Sequence, residues 1–398
     1  MSDVPEFSPG RAAAAEVTPS APCLEFLASH GGPFYDLQKR LALLHDQGLR
    51  AGRRALIFAA IAWLVPLVLS SSNPVAYLGD PGTWAKFLIA VAAFILAEQQ
   101  VEAGLRMKIR QFESVPLIGP DSFPAAAASV ENSLRLRDSL MAEVCCLAFG
   151  VALSVVAYSG VSPAASWAAA QTPEGASVTL AGWWALVISL PLFGFLFLRG
   201  LWRHTVWALL LRDLAKLELR LVGTHPDGKG GLAFLGAYPN AYMLFVLGAS
   251  SAVAAAIAKH LAHENISTTT FTSIVGGWLV IVLALFAFPL SAFSRPLAQL
   301  KERSLLSFGA EATRYQRMAE RKALGTNVAS PSTVEETSDS SVDTSKQFEA
   351  TRKLSAMLIN RSAVLPVAAA ALLPFAVAGA TKLPFKEVLS VLKKLLLL

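Results

Sequence analysis

Six apolar runs of roughly twenty residues divide the chain: Ala55 to Ser71, Trp84 to about Glu102, Leu140 to Ser159, Trp183 to Trp202, Ala241 to Ala258 and Phe271 to Ser291. A hydrocarbon layer about 30 Å thick needs about 20 helical residues to cross it, so each run predicts one transmembrane helix. The pattern continues beyond lipid depth in several places. From Trp183 to Val222 the helical periodicity covers some 40 residues, or roughly 60 Å at 1.5 Å per residue. Leu305, Phe308, Ala312, Tyr315 and Ala319 form a coiled-coil-like seam flanked by Glu302, Arg303, Glu311, Arg314 and Arg317. The expected fold is therefore all-α: a polytopic membrane helical bundle with helices extending into a cytoplasmic layer, spanning residues 55–324.

Polar stretches bound this body. Residues 1–30 are rich in Ala, Pro and Ser without periodicity and predict a disordered tail. Over residues 31–54, Leu37, Leu41 and Leu44 fall opposite Gln38, Lys39 and Arg40, an amphipathic helix lying on the membrane or the bundle. Residues 325–346 form a flexible acidic linker. Within 347–398, the apolar run Val364 to Ala380 carries Pro366 and Pro374, and it reads either as a seventh span or as a hairpin bent at Pro374. The last stretch, Pro384 to Leu398, has Lys386, Lys393 and Lys394 on one face and leucines opposite. An interfacial helix of that kind favours the hairpin and a cytoplasmic C-terminus.

Charge sets the orientation. The connections before span one, between spans two and three, between four and five, and after six up to Arg361 hold 6, 5, 5 and 11 Lys and Arg. The alternate connections hold Lys259, with Lys86 just inside span two. The positive-inside tendency makes the N-terminus and the long connections cytoplasmic. The net charge of +6 is thus accounted for by topology, and no nucleic-acid surface is expected. The Ala-rich composition suggests a bacterial inner membrane. Three cysteines, Cys23, Cys145 and Cys146, give neither a disulfide framework nor a zinc spacing. His260 and His263, with Glu264 adjacent, have a spacing that permits a metal, but two imidazoles in a short loop read better as solvent-facing. No cofactor is expected. No nucleophile, base and orienting acid fall together, so no enzymatic activity is expected either.

Ionisable groups at lipid depth mark function or buried pairing, because each costs about 2.5 to 3.5 kcal/mol to insert. Counted from interfacial Trp84, Trp183 and Tyr158, the residues Glu98, Arg199 and Glu143 each lie roughly 21–23 Å in. Glu102 and Arg203 sit one turn lower. With Gln99 and Gln100 these residues form an expected polar layer. It either lines an ion or proton path, or neutralises internally while Glu102, Glu143 and Arg203 snorkel to headgroups. A second candidate is the string THPDGKGGLAFLG, Thr224 to Gly236. There His225, Asp227, Gly228, Lys229, Gly230 and Gly231 suggest a structural turn or an anion- or headgroup-binding nest. It lacks the order of a nucleotide P-loop. His225-Pro226-Asp227 is similar to the HPD turn of J-domains, but span five begins where their third helix would lie.

GGPFYDLQKRL (Gly31 to Leu41), RRAL at the entry to span one, THPDGKGGLAFLG, SFGAEATRY (Ser307 to Tyr315) and the Lys-Leu tail together resemble a group of uncharacterised bacterial multi-spanning membrane proteins. That resemblance implies location and architecture, and no substrate or site residue. Two functions stay open: a channel or transporter-like bundle, and a membrane-anchored sensing or scaffold protein with a cytoplasmic helical surface. The expected partners are the lipid bilayer, further copies of the chain and a cytoplasmic protein.

Overall fold

The computed structural model describes residues 24–44, 49–159, 167–172, 175–263, 267–329, 342–359, 361–381, 386, 390–391 and 393–395. Helix α1 is Pro33–Arg40 and α2 Ala51–Leu69. Next come α3 Thr83–Ser114, α4 Phe123–Arg137 and α5 Leu140–Ser159. A two-stranded antiparallel hairpin, β1 Ala169–Thr172 and β2 Gly175–Val178, leads to α6 Leu180–Leu214. The chain continues as α7 Met243–His263, α8 Thr268–Leu290, α9 Ser294–Leu324, α10 Ser345–Arg352 and α11 Arg361–Ala380. The fold is all-α apart from the hairpin. Among the described residues seven helical segments are long and apolar enough to cross a membrane, so the chain is a multi-pass membrane protein.

The seventh of these is α11, which runs straight through Pro374. Val364 and Val367 at its start share a cavity with Pro239 and Leu290, whereas Val377 and Thr381 at its end share a groove with Pro81 and Ala258. It therefore passes from the arginine-rich end of the bundle to the lysine-poor end, and the hairpin reading is corrected. The proline is accommodated because α7 packs along α11 and supports it through the break. The chain end follows α11 to the lysine-poor end: Leu395 packs 3.6 Å from the position a Cβ would take on Gly276 of α8, and Val391 is buried. The described residues thus begin at the arginine-rich end of the bundle with Leu24 and finish at the lysine-poor end with Leu395, while the termini themselves, expected on the cytoplasmic side, lie outside the described residues.

Proline also shapes α2. Pro66 supplies no N–H, and the helix widens over Ala60–Leu64. The carbonyls this loosens are taken up by neighbours: Trp184 Nε1 donates to Ile61 O at 2.9 Å, Ser189 Oγ to Ala62 O at 2.7 Å and Tyr77 OH to Trp63 O at 2.9 Å. Matching wide turns in α3 (Thr83–Ala90) and α6 (Ala185–Ser189) pack against this one. At the α5–α6 crossing, glycine faces glycine. A Cβ on Gly150 would come 2.7 Å from the Pro191 carbonyl oxygen, and one on Gly194 would come 2.9 Å from the Gly150 Cα. Small residues permit this close approach, which replaces the hydrophobic drive that lipid removes.

At the arginine-rich end the bundle acquires a core like that of a soluble domain. Helix α6 stops at Leu214, short of the expected Val222, and the chain turns to bridge Leu219 to Ile118. Trp207, Leu210, Leu211 and Leu214 are completely buried there. Phe112 stacks edge-on to Phe234 at 5.3 Å, and Phe26 packs 5.6 Å from Trp207. Phe26 belongs to a segment that composition assigns to a disordered tail. Residues 1–23 of that tail lie outside the described residues, whereas Leu24, Phe26, Ala28 and Ser29 are buried. The apolar positions at 24, 26 and 28 alternate like those of a half-buried extended strand, a signal too short to stand out beside the Ala/Pro/Ser run. Helix α1 turns its leucines outward: Leu37 and Leu41 are more than half exposed and Gln38 is buried, which fits a helix resting on lipid.

Candidate functional site

Glu98, on α3, lies at the centre of the polar layer. Its carboxylate takes Arg54 Nη2 at 2.5 Å, Arg199 Nη1 in a short contact, and Arg203 Nη1 at 3.4 Å. Arg199 also reaches Glu143 Oε1 through Nε at 2.8 Å and lies 5.0 Å over the Phe34 ring. Three helices, α2, α3 and α6, thus converge on Glu98, and α5 joins through Glu143. The side chains of Arg54 and Arg199 are 1% and 3% exposed, so these charges are removed from water and must compensate one another. Two carboxylates, Glu98 and Glu143, thus face three guanidinium groups.

The N-terminal segment closes this layer. Ser29 N donates to Glu102 Oε2 at 2.5 Å, Ser29 Oγ to the Glu98 carbonyl at 2.8 Å, and Phe34 N to Glu143 Oε2 at 2.7 Å. In return Arg203 Nη2 donates to the carbonyls of Ser29 and Gly31 at 3.3 and 3.4 Å, and Arg137 to that of Leu27. Gln38 Oε1 accepts from Arg54 Nε at 2.5 Å. Gly31 and Gly32 hold φ of 119° and 89°, a region only glycine enters freely, and a Cβ on either would run into Arg137 or Glu143. The strap thus supplies the hydrogen bonds that buried ion pairs need beyond one another. Between the strap and the helices, Ser29, Glu98, Arg199, Arg203 and Tyr242 line a cavity of about 30 Å3, room for one or two waters.

The structure brings Glu98, Glu143 and Arg199, read at one depth, together with Arg203 from one turn lower, but not every expected member joins. Gln99 is exposed, a quarter turn away from Glu98. Gln100 turns to the Asn240 carbonyl at 3.2 Å. Glu102 does not pair with Arg203: it binds the Ser29 amide, with His30 Nδ1 at 3.3 Å. Nor do Glu102, Glu143 and Arg203 snorkel, since all three are buried. Sequence reasoning missed Arg54. The small-residue stripe Ala51, Ala55, Ala59 and Ala62 marks the packed face of α2, and Arg54 lies on it whereas Arg53 is exposed. His204 was missed as well. It is buried between Tyr238, Tyr242 and Phe286, its Nε2 3.1 Å from the Leu285 carbonyl.

In the THPDGKGG turn the anion is internal. Asp227 Oδ1 accepts from Lys229 N at 2.8 Å and Gly231 N at 3.2 Å, Oδ2 accepts from Ala233 N at 3.1 Å, and His225 Nδ1 lies 2.8 Å from Oδ1. Gly228, Gly230 and Gly231 all hold positive φ, which shapes the nest around that carboxylate. Partial burial raises the Asp227 pKa, but the three amides and His225 together outweigh it and hold the carboxyl below its ordinary value. The turn's outer side binds the chain itself: Ser355 N donates to Gly228 O at 3.0 Å, and Lys229 Nζ donates to Met357 O. It clamps the segment that joins α10 to α11.

Cys145 is exposed and Cys146 buried, and both are free thiols. Cys23, Glu264 and the side chains of His260 and His263 lie outside the described residues, as do residues 330–341 of the acidic linker. Among the described residues no group of three or more His, Cys, Asp or Glu gathers closely enough to hold a metal. Comparison with protein-family models, curated proteins and solved structures gives no match.

Proposed function

We propose that this protein is a membrane-anchored scaffold, that its buried charge layer locks the bundle together, and that α9 is the surface it offers to a protein partner. One observation carries the reading. Helix α9 is 31 residues long and buries a single residue, Leu297. Its first turns are fastened to the bundle, with Lys301 Nζ donating to the Leu354 carbonyl at 2.7 Å. The remaining 20 residues, about 30 Å of helix, carry the seam read from the sequence. Phe348 of α10 covers part of it at Gly309, and beside it Leu305, Leu306, Ala312 and Ala319 line an open groove whose rim includes Gln316, Arg317 and Glu320.

These 20 residues carry four Lys and Arg against two Glu, which disfavours pairing with a second copy and favours an acidic amphipathic helix. Conduction through the charge layer is the weaker reading, because its carboxylates and guanidinium groups bind one another and the strap. The positive-inside count supports a cytoplasmic position for this part of α9, and the resemblance to bacterial multi-spanning proteins supports a bacterial inner membrane.

A photo-crosslinker at Leu306 or Thr313, both exposed, tests the proposal in cells. A crosslink to one protein that is lost in Arg314→Glu/Arg317→Glu and weakened by salt supports it. Crosslinks confined to lipid, or to other copies of the chain, overturn it.

A further inference from the structure

The cavity of about 30 Å3 between the strap and the helices is lined by hydrogen-bond donors. Its polar members are Ser29, Glu98, Arg199, Arg203 and Tyr242, set among the apolar side chains of Phe94, Leu196 and Phe245. Tyr242 is 2% exposed, and its hydroxyl has no hydrogen-bond partner among the described residues. A buried hydroxyl in that state calls for an acceptor in the space beside it.

The arginines bring further donors. Arg199 spends Nε on Glu143 and Nη1 on Glu98, whereas Arg203 spends Nη1 on Glu98 and Nη2 on the Ser29 and Gly31 carbonyls. Those bonds leave Nη2 of Arg199 and Nε of Arg203 with N–H groups still to give. Acceptors are already engaged. The two carboxylate oxygens of Glu98 take Arg54, Arg199 and Arg203, and Ser29 gives its own O–H to the Glu98 carbonyl. Charge points the same way, because the lining holds one carboxylate against two guanidinium groups. Beyond it, Glu143 and Arg54 add one charge of each sign, while Glu102 turns to the Ser29 amide and His30 and does not line the cavity. A water would accept from these donors, but it carries no charge and needs acceptors for its own hydrogens. The complement is a negative ion that donates nothing.

We infer that this cavity binds one monatomic anion, chloride, held by the Tyr242 hydroxyl and by guanidinium N–H groups of Arg199 and Arg203. The volume suits an ion slightly larger than a water and leaves no room for the four oxygens of sulfate or phosphate. Such an ion supplies the missing negative charge and accepts charge-assisted hydrogen bonds in a site sheltered from water. Because Ser29 forms one wall, the ion also ties the strap to α6. The inference rests on the reading of the charge layer as a lock, to which it adds a final component.

The test is thermal unfolding of the full chain in detergent micelles, followed by tryptophan fluorescence at constant ionic strength as sodium gluconate is replaced by chloride, bromide or sulfate. The melting midpoint is expected to rise saturably with chloride and bromide and to stay unchanged with sulfate. Tyr242→Phe should keep the gluconate midpoint of wild type or exceed it, since an unpartnered hydroxyl is removed, yet need at least about tenfold more halide for half of the rise. Crystals of wild type grown in bromide should show anomalous scattering inside the cavity beside Tyr242, and this reading stands whether or not the variant folds. A midpoint indifferent to the anion overturns the inference, as does one that rises equally with sulfate. So does a Tyr242→Phe variant with the halide response of wild type, or a cavity that holds water only in bromide crystals. A halide-independent midpoint together with coupled losses for Glu98→Gln and Arg199→Gln would remove the anion and leave the lock standing.

Discussion

Replacing Glu98 with Gln removes one negative charge from a site where three guanidinium groups meet. At about 4 Å between charge centres and an effective dielectric near 20, each contact contributes an attraction of about 4 kcal/mol. Glu98 makes such contacts with Arg54 and Arg199, and a longer one with Arg203. Mutual repulsion among the arginines and the desolvation of all partners offset much of this. The net loss expected for breaking one member of a buried pair is about 3 to 5 kcal/mol, because a buried cation is left uncompensated. The assay is equilibrium unfolding of the purified protein in mixed micelles, wild type beside Glu98→Gln, Arg199→Gln and the double variant. The double variant restores the balance of charge, so it should be at least about 2 kcal/mol more stable than the sum of the single losses implies. Additive losses, or a Glu98→Gln variant within about 0.5 kcal/mol of wild type, would refute the claim that this carboxylate neutralises the layer.

Phe26→Ala should destabilise by about 3 to 5 kcal/mol and expose the strap to protease ahead of the bundle, since Phe26 is fully buried against Trp207; limited proteolysis reads this. Gly150→Leu should cost about 1 to 3 kcal/mol or more by forcing α5 from α6, measured by the same unfolding assay. The Asp227 carboxyl titrates below its ordinary value in the folded protein, so its stabilisation is present above the ordinary value of about 3.9 and is lost as pH falls through the lowered one. Hydrogen exchange of the Lys229, Gly231 and Ala233 amides should therefore quicken across that acid window, and Asp227→Asn should flatten the dependence. A reporter fused after α11 should report the membrane side opposite to one fused at the N-terminus.

The membrane class and the common depth of Glu98, Glu143 and Arg199 were legible because both follow from simple counting: residues per bilayer, and residues from an aromatic anchor. Rotation was less legible. Counting along α3 puts Gln99 and Gln100 at the depth of Glu98 but not on its face, and depth alone grouped them. Arg54, in the RRAL string at the entry to span one, shows its buried position only when the alanine stripe is used to phase α2. The strap could not be seen, because its alternating Leu24, Phe26 and Ala28 are three positions beside a long run of weak composition, and most of its hydrogen bonds to the charge layer are made by backbone atoms that carry no residue signature. Charge counting left α11 open between a span and a hairpin: lysines beyond Thr381 argue against crossing, and what the pattern does not carry is the close packing of α7 along the helix that keeps it continuous past Pro374.

The proposed role of the charge layer is that of a closed lock. Ion and proton flux through the purified protein in liposomes tests it most directly, with wild type beside Glu98→Gln and Arg199→Gln at matched, verified insertion. A closed lock gives no flux above empty liposomes from wild type, with the substitutions lowering stability alone. Flux through wild type that either substitution alters would contradict it and establish a path through the layer.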